Sequence, residues 1–300
     1  MRCTCPYIPC KMHGNCKACI AHNIHTGDLA HCMEKTAMAR GAVMPLRLPG
    51  KVYLENDFEA MSRRSAELVA DVVRAKPDAL ISLPAGSTAR RTYEILKEMA
   101  DRGDVDFSRA RFVALDEWLD LKDESENCDA FMRKHFYTPL GIPDERVKRF
   151  DIHAADLDRA CRDVDEFIFA HSGIDVMLLG VGMNGHLGLN EPGSDFSDYA
   201  KVVELDSVTM NVGQKYFTGG MELTRGITLG VHHMFDAKLV ILQVGGAHKA
   251  DIMERVLRTP PTEDLPATVL KLVDNGVLVI DRDAASKAMD LMEGPQVIKG

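Results

Sequence analysis

Three stretches of this chain gather residue types that move protons or hold anions. The first spans residues 176–193, VMLLGVGMNGHLGLNEPG. A wholly apolar run breaks there into a glycine-rich turn carrying Asn184, His186 and Glu191, closed by Pro192 and Gly193. A histidine held by a carboxylate shuttles protons near neutral pH. Gly182 within the turn lets backbone approach a small ligand closely. The second stretch is Asp116-Glu117-Trp118. A desolvated aspartate at a strand end can serve as a general base, and it can equally cap the following turn. The third is Gly86-Ser87-Thr88, where small residues before a helix point backbone N–H groups at an anion. It is not a Walker loop, and on this segment alone a bare turn remains open. Lys249, after Gly245-Gly246, sits near a helix start where a cation opposes the dipole. A bound anion would offset that cost, although a solvated lysine is the ordinary alternative.

Gly180, Gly182 and Gly185 satisfy the dinucleotide fingerprint. That motif opens a helix at once, whereas this one ends in Asn-Glu-Pro-Gly, a turn. A dinucleotide site is therefore not expected.

The surrounding pattern supplies the scaffold. Apolar runs at residues 79–83, 111–115, 176–179, 239–244 and 277–280 read as strands, and 201–205 as a further strand. Helical spacing covers residues 57–75, 127–137, 155–170 and a stretch near 284–292, and 226–234 also reads as helical. A helix with Tyr93, Ile95 and Leu96 follows the Gly86 loop, and another opens at residues 245–249. Strands alternating with helices imply a doubly wound, mainly parallel, Rossmann-like α/β sheet, whose ligands bind at the strands' carboxyl ends.

Three hundred residues, 46% of them apolar and 27% charged, suit such a domain with an appendage. The net charge of −9 argues against nucleic acid and anionic membrane as partners. No apolar run reaches the roughly 18 residues of a membrane helix, and no secretory signal is visible. A cytoplasmic protein with reduced cysteines is expected.

Six of the eight cysteines lie in the first 32 residues: Cys3, Cys5, Cys10, Cys16, Cys19 and Cys32. Residues 1–34 cannot build a core, so a structural zinc module is expected, with Cys5, Cys10, Cys16, Cys19 and Cys32 as candidate ligands. A tail with incidental thiols is the alternative. Residues 35–50 read as linker, and residues 51–300 as the catalytic domain. Cys128 and Cys161 read as packing residues.

LPAGST, LDEW, LGVGMNGHLGLNEPG and Gly-Gly-Ala-His-Lys stand here in the order and spacing of the hexosamine-6-phosphate isomerase/deaminases, which this chain resembles over about residues 50–295. The 6-phosphogluconolactonases are more distant relatives on the same fold. The resemblance implies catalysis by Asp116, His186, Glu191 and Asn184. Asp116 would be the C2 base and His186, oriented by Glu191, the ring-opening group. Gly86, Ser87, Thr88, Glu117, Gly182, Lys215 and Lys249 would serve the substrate and its phosphate. No catalytic cofactor is implied. A homo-oligomer is expected as a possible assembly. Four departures from the family pattern stand out: Asn184 where aspartate is common, Ala89 for a proline, Lys215 for a phosphate-gripping arginine, and Cys128-Asp129 for a Ser/Tyr pair. Glucosamine 6-phosphate is the favoured substrate. Galactosamine 6-phosphate, a lactone hydrolase and a non-catalytic sugar-phosphate sensor are the alternatives.

Overall fold

A computed structural model describes residues 48–217 and 222–300. The cysteine-rich segment, with Cys5, Cys10, Cys16, Cys19 and Cys32, and most of the linker lie outside these residues.

The chain alternates strand and helix. β1 (Lys51–Glu55) leads to α1 (Phe58–Ala75), β2 (Leu80–Leu83) to α2 (Ser87–Asp101), and β3 (Arg111–Ala114) to the short β4 (Asp116–Trp118). Next come α3 (Cys128–Met132), continued by a π-helical turn over Arg133–Tyr137, and then β5 (Val147–Lys148), α4 (Leu157–Ala170) and β6 (Val176–Leu179). β7 (Lys201–Glu204), α5 (Ser207–Gly213), β8 (Arg225–Thr228), α6 (His232–Asp236) and β9 (Val240–Val244) follow. The chain closes with α7 (Ala250–Arg258), β10 (Gly276–Asp281), α8 (Arg282–Ala285) and β11 (Val297–Lys299).

Eight strands form one sheet in the order β11-β1-β10-β9-β6-β2-β3-β5. Every pairing in it is parallel. The apolar runs follow from burial on both faces. Val176 and Leu178 pack with α1 and α2, through Met61, Val69, Tyr93 and Leu96. Met177 and Leu179, one residue out of phase, pack on the opposite face with α4 and α7, through Val164, Ile168, Met253 and Val256. Helix α1 starts where Asp57 accepts from the Ala60 N–H at 2.8 Å. From β2 the chain winds outward through β3 to β5, and from β6 it winds the other way through β9 to β10. The β2–β6 boundary is thus the topological switch point, where open α/β sheets bind ligands.

Two readings of the sequence need correction. Residues 226–234 are not one helix: Arg225–Thr228 is β8, and only His232–Asp236 is helical. Asp116 and Glu117 are not simply the end of a parallel strand. They lie in β4, which forms a second, antiparallel sheet in the order β4-β8-β7, with Asp116 opposite Thr228. Its partner strands lie far away in sequence, which local periodicity cannot register. The apolar pattern does not announce β1 either. Its KVYLE sequence is too short to declare itself between a linker and a helix cap.

Candidate active site

At the carboxyl ends of β2, β6 and β9 lies a cavity of about 310 Å³. Asp116, His186, Gly182, Gly86, Ser87, Thr88, Lys215 and Lys249 all line it. Residues separated by up to 163 positions (86 to 249) therefore converge on one space.

One end is built to hold an anion. Helix α2 begins after Gly86, with no side chain capping it and no acidic residue in its first turn. Its leading N–H groups and positive dipole end face the cavity. Tyr93 fixes the preceding loop by donating to the Pro84 carbonyl at 2.6 Å. Buried Gln243 holds the helix start, donating to the Thr88 carbonyl at 2.9 Å and accepting from Thr92 at 2.8 Å. Lys249 reaches across to the Val181 carbonyl at 2.7 Å. Burial and the neighbouring Lys215 charge lower its pKa to about 8. A half-buried Lys249 beside an exposed Lys215 at one end of the cavity favours an anionic occupant. Lys134, His135 and His248 also line the cavity, and sequence reasoning passed over all three.

A second wall carries His186. Gly182 is indispensable here: a Cβ on it would lie 2.3–2.4 Å from three atoms of the imidazole ring. Gly185 turns the loop at φ +91°, in the left-handed region that favours glycine. The nearest side-chain partner of His186 Nδ1 is not Glu191 at 3.5 Å but the Thr209 hydroxyl at 2.9 Å. Thr209 lies on α5, and no local motif marked it. Asn184 sits behind the loop rather than among the residues lining the cavity. Its amide donates to Glu191 Oε2 at 2.8 Å and to Asp206 Oδ1 at 3.2 Å, and its carbonyl accepts from the His186 N–H at 3.2 Å. That geometry explains the asparagine: an aspartate would bring a third carboxylate against two others. Burial raises the Glu191 carboxyl, but His186, Thr209 and Asn184 outweigh it and hold the group below the usual glutamate range.

The third wall holds the two adjacent carboxylates, and the strand alternation of β4 separates them. Asp116 lines the cavity. Burial, followed by the charge of Glu117, raises its pKa to about 7, against a lowering contact from the Cys128 thiol. Glu117 does not line the cavity, contrary to its expected place among the substrate contacts. Its Oε1 accepts from the Trp118 and Cys128 N–H groups at 2.8 and 2.9 Å, and its Oε2 from Asp129 N–H at 2.8 Å. Glu117 thus anchors the start of α3. Cys128 is more than packing: burial, followed by the charges of the neighbouring Glu117 and Asp116, pushes its thiol well above the ordinary range.

Residues 55–279 match the family described as glucosamine-6-phosphate isomerases/6-phosphogluconolactonase. The chain is 35% identical over 242 residues to a glucosamine-6-phosphate deaminase of Thermoanaerobacter sp. (strain X514), covering 80% of this chain and 96% of that protein. It is 30% identical over 241 residues to glucosamine-6-phosphate deaminase 2 of Bacillus subtilis (strain 168), covering 79% and 97%. Among solved structures it is similar to a monomeric glucosamine-6-phosphate deaminase, with a TM-score of 0.74, 29% identity, and coverage of 78% and 99%. Its likeness to the 6-phosphogluconolactonase of Trypanosoma brucei is one of fold, at TM-score 0.61 and 19% identity over 79% and 98% of the chains. The chain belongs to the glucosamine-6-phosphate isomerase/6-phosphogluconolactonase family.

Proposed function

We propose that the protein is a hexosamine-6-phosphate deaminase that converts glucosamine 6-phosphate and water to the ketose 6-phosphate and ammonia. One observation carries this reading: a desolvated aspartate and a partnered histidine share a cavity with a cationic helix-end pocket. The phosphate sits at Gly86, Ser87 and Thr88, between Lys215 and Lys249. His186 takes the proton of O1 and delivers it to O5, which breaks the C1–O5 bond and yields the open-chain aldehyde. Asp116 then takes the proton from C2, and the electron pair passes to the C1 carbonyl. Return of that proton at C1, with an amine proton passing to O1, leaves a hydroxymethyl group at C1 and an imine at C2. Water adds there and ammonia departs, so atoms balance with no external oxidant or reductant. A base with pKa about 7 is matched to this task, being about half ionised at neutral pH and a far stronger base than an ordinary carboxylate. Glu191, Asn184 and Glu117 act through their neighbours: Glu191 and Asn184 hold the histidine loop, and Glu117 holds α3 beside the base. The chemistry calls on no catalytic cofactor.

The lactone-hydrolase alternative needs a base for water but no base at C2, and leaves the perturbed Asp116 without a task. The purified protein should release ammonia from glucosamine 6-phosphate, with galactosamine 6-phosphate as the comparison for epimer preference. Release from neither sugar, or hydrolysis of a 6-phosphogluconolactone in their place, overturns the proposal.

A further inference from the structure

We propose that Thr228 is a positioning residue: from β8 it clasps the His186 loop onto the strand face that carries Asp116, and so sets the spacing between the two reactive groups. The kinetic consequence rests on the deaminase reading; the clasp itself rests on geometry.

In the second sheet Asp116 stands opposite Thr228, and Trp118 opposite Gly226. Cross-strand partners share a face, as do residues two apart along a strand, so these four positions lie on one face. The loop after β6 is seated there. A Cβ on Gly226 would lie 2.2 Å from Leu189 Cδ1, so the glycine leaves room for that side chain, which is buried in one cluster with Trp118. Gly188 crosses the face at φ +58°, and a Cβ on it would lie 2.9 Å from Thr228 Oγ1 and 3.4 Å from Asp116 Oδ2. The loop backbone thus passes close against the threonine and the base together.

Two hydrogen bonds hold the loop on this seat, one in each direction. The Leu189 N–H donates to Thr228 Oγ1 at 3.2 Å, and among the described residues no backbone carbonyl takes it. In return the Asn190 amide donates to the Leu229 carbonyl at 2.8 Å. Thr228 and Asn190 are both fully buried, so water competes for neither. An amide N–H only donates and a carbonyl only accepts, so the direction of each bond is fixed. The Thr228 proton has the Leu229 and Leu115 carbonyls to go to, at 3.2 and 3.4 Å. Leu115 immediately precedes Asp116, and Leu189 stands in the chain between His186 and Glu191. Thr228 Oγ1 therefore lies where the backbone carrying the base meets the backbone carrying the histidine.

The test compares Thr228→Val, which keeps the shape and removes the hydroxyl, with Thr228→Ser, which restores it. In the full-length protein Thr228→Val should lower kcat by about 10- to 100-fold, the scale of a misplacement of up to about 1 Å. KM should change little, because the Gly86 loop and Lys249 are untouched. The acid limb of kcat/KM should stay near pH 7, because burial and the Glu117 charge, which raise Asp116, both remain. Thr228→Ser should recover most of the loss. Hydrogen–deuterium exchange at the Leu189 amide should be about 10-fold faster in Thr228→Val than in the parent, with the β6 amides unchanged. Should the valine variant not fold, Thr228→Ala, which also lacks the hydroxyl, carries the same expectations. Full kcat without the hydroxyl, equal damage in the valine and serine variants, a loss confined to KM, or an acid limb that moves overturns the clasp. Should the parent release no ammonia, the functional reading fails and the exchange comparison still decides the clasp: a Leu189 amide as protected without the hydroxyl as with it overturns it.

Discussion

The two reactive walls of this cavity are built by opposite means. Around His186 the fold supplies partners: Thr209, Glu191 and Asn184 in contact, with Asp206 behind them. Around Asp116 it withholds them. The neighbouring carboxylate takes three backbone N–H groups, and Asp116 is left with burial, a like charge and one thiol. A group that must sit at one angle is served by hydrogen bonds. A group that must be strongly basic is served by their absence, since each donor would stabilise the carboxylate and weaken it as a base. Adjacent residues of a strand point to opposite sides, so Glu117 can absorb the donors without lending them to Asp116.

Substitutions on the two walls should therefore fail differently. Asp116→Asn should have the largest effect, reducing ammonia release by about 10³- to 10⁴-fold while sugar-phosphate binding stays within a few-fold. The same variant should be more stable at neutral pH by about 1–2 kcal/mol, because an ionised carboxylate in a poor environment has been removed. Its folded pKa is raised above 3.8, so the penalty is absent at acid pH and grows as pH rises to about 7. Thermal melts of parent and variant should accordingly diverge from acid to neutral pH, and equal melting at every pH would break the contrast. Gly182→Ala should come next. Its methyl group collides with the imidazole and should cost about 10²-fold in kcat through misplacement. The acid limb of its kcat/KM profile should stay where Asp116 puts it, and a moved limb would mean the walls are not independent. The smallest effect concerns pH alone. For the parent, kcat/KM should fall below about pH 7 as Asp116 gains its proton, and above about pH 8 as Lys249 loses the charge that holds phosphate. A rate that stays flat from pH 8 to pH 9, measured at substrate well below KM, would remove Lys249 from the phosphate site.

Much of this arrangement was legible in the residues. The strands buried on both faces announce themselves as unbroken apolar runs, and the loops at their ends carry Asp116, His186, the Gly86 turn and Lys249. What stayed hidden is what sequence neighbours do not determine. Thr209 lies 23 residues from the histidine it contacts, on a seven-residue helix without a motif. Asp116 and Glu117 look equivalent until β8 arrives from more than a hundred residues away to set the register of β4. The resemblance implies a catalytic role for Asn184, but the contacts of its side chain with Glu191, Asp206 and the His186 N–H are set by the fold of the turn and are not written in its spacing. The zinc expectation falls on residues beyond those described.

The placement of β1 bears on how such a chain is made. Its partners are β10 on one side and β11 on the other, both more than 220 residues later. On a ribosome, the buried face of Val52 and Leu54 must wait, unpaired, until nearly the whole domain has been synthesised. The interior strands β2, β3 and β6 can pair well before that. The Gly86 and His186 loops can thus be brought together early, while Lys249 and the closing strands come last. A partly made chain would hold a nascent site beside an orphan strand edge, the situation in which a chaperone has most to protect.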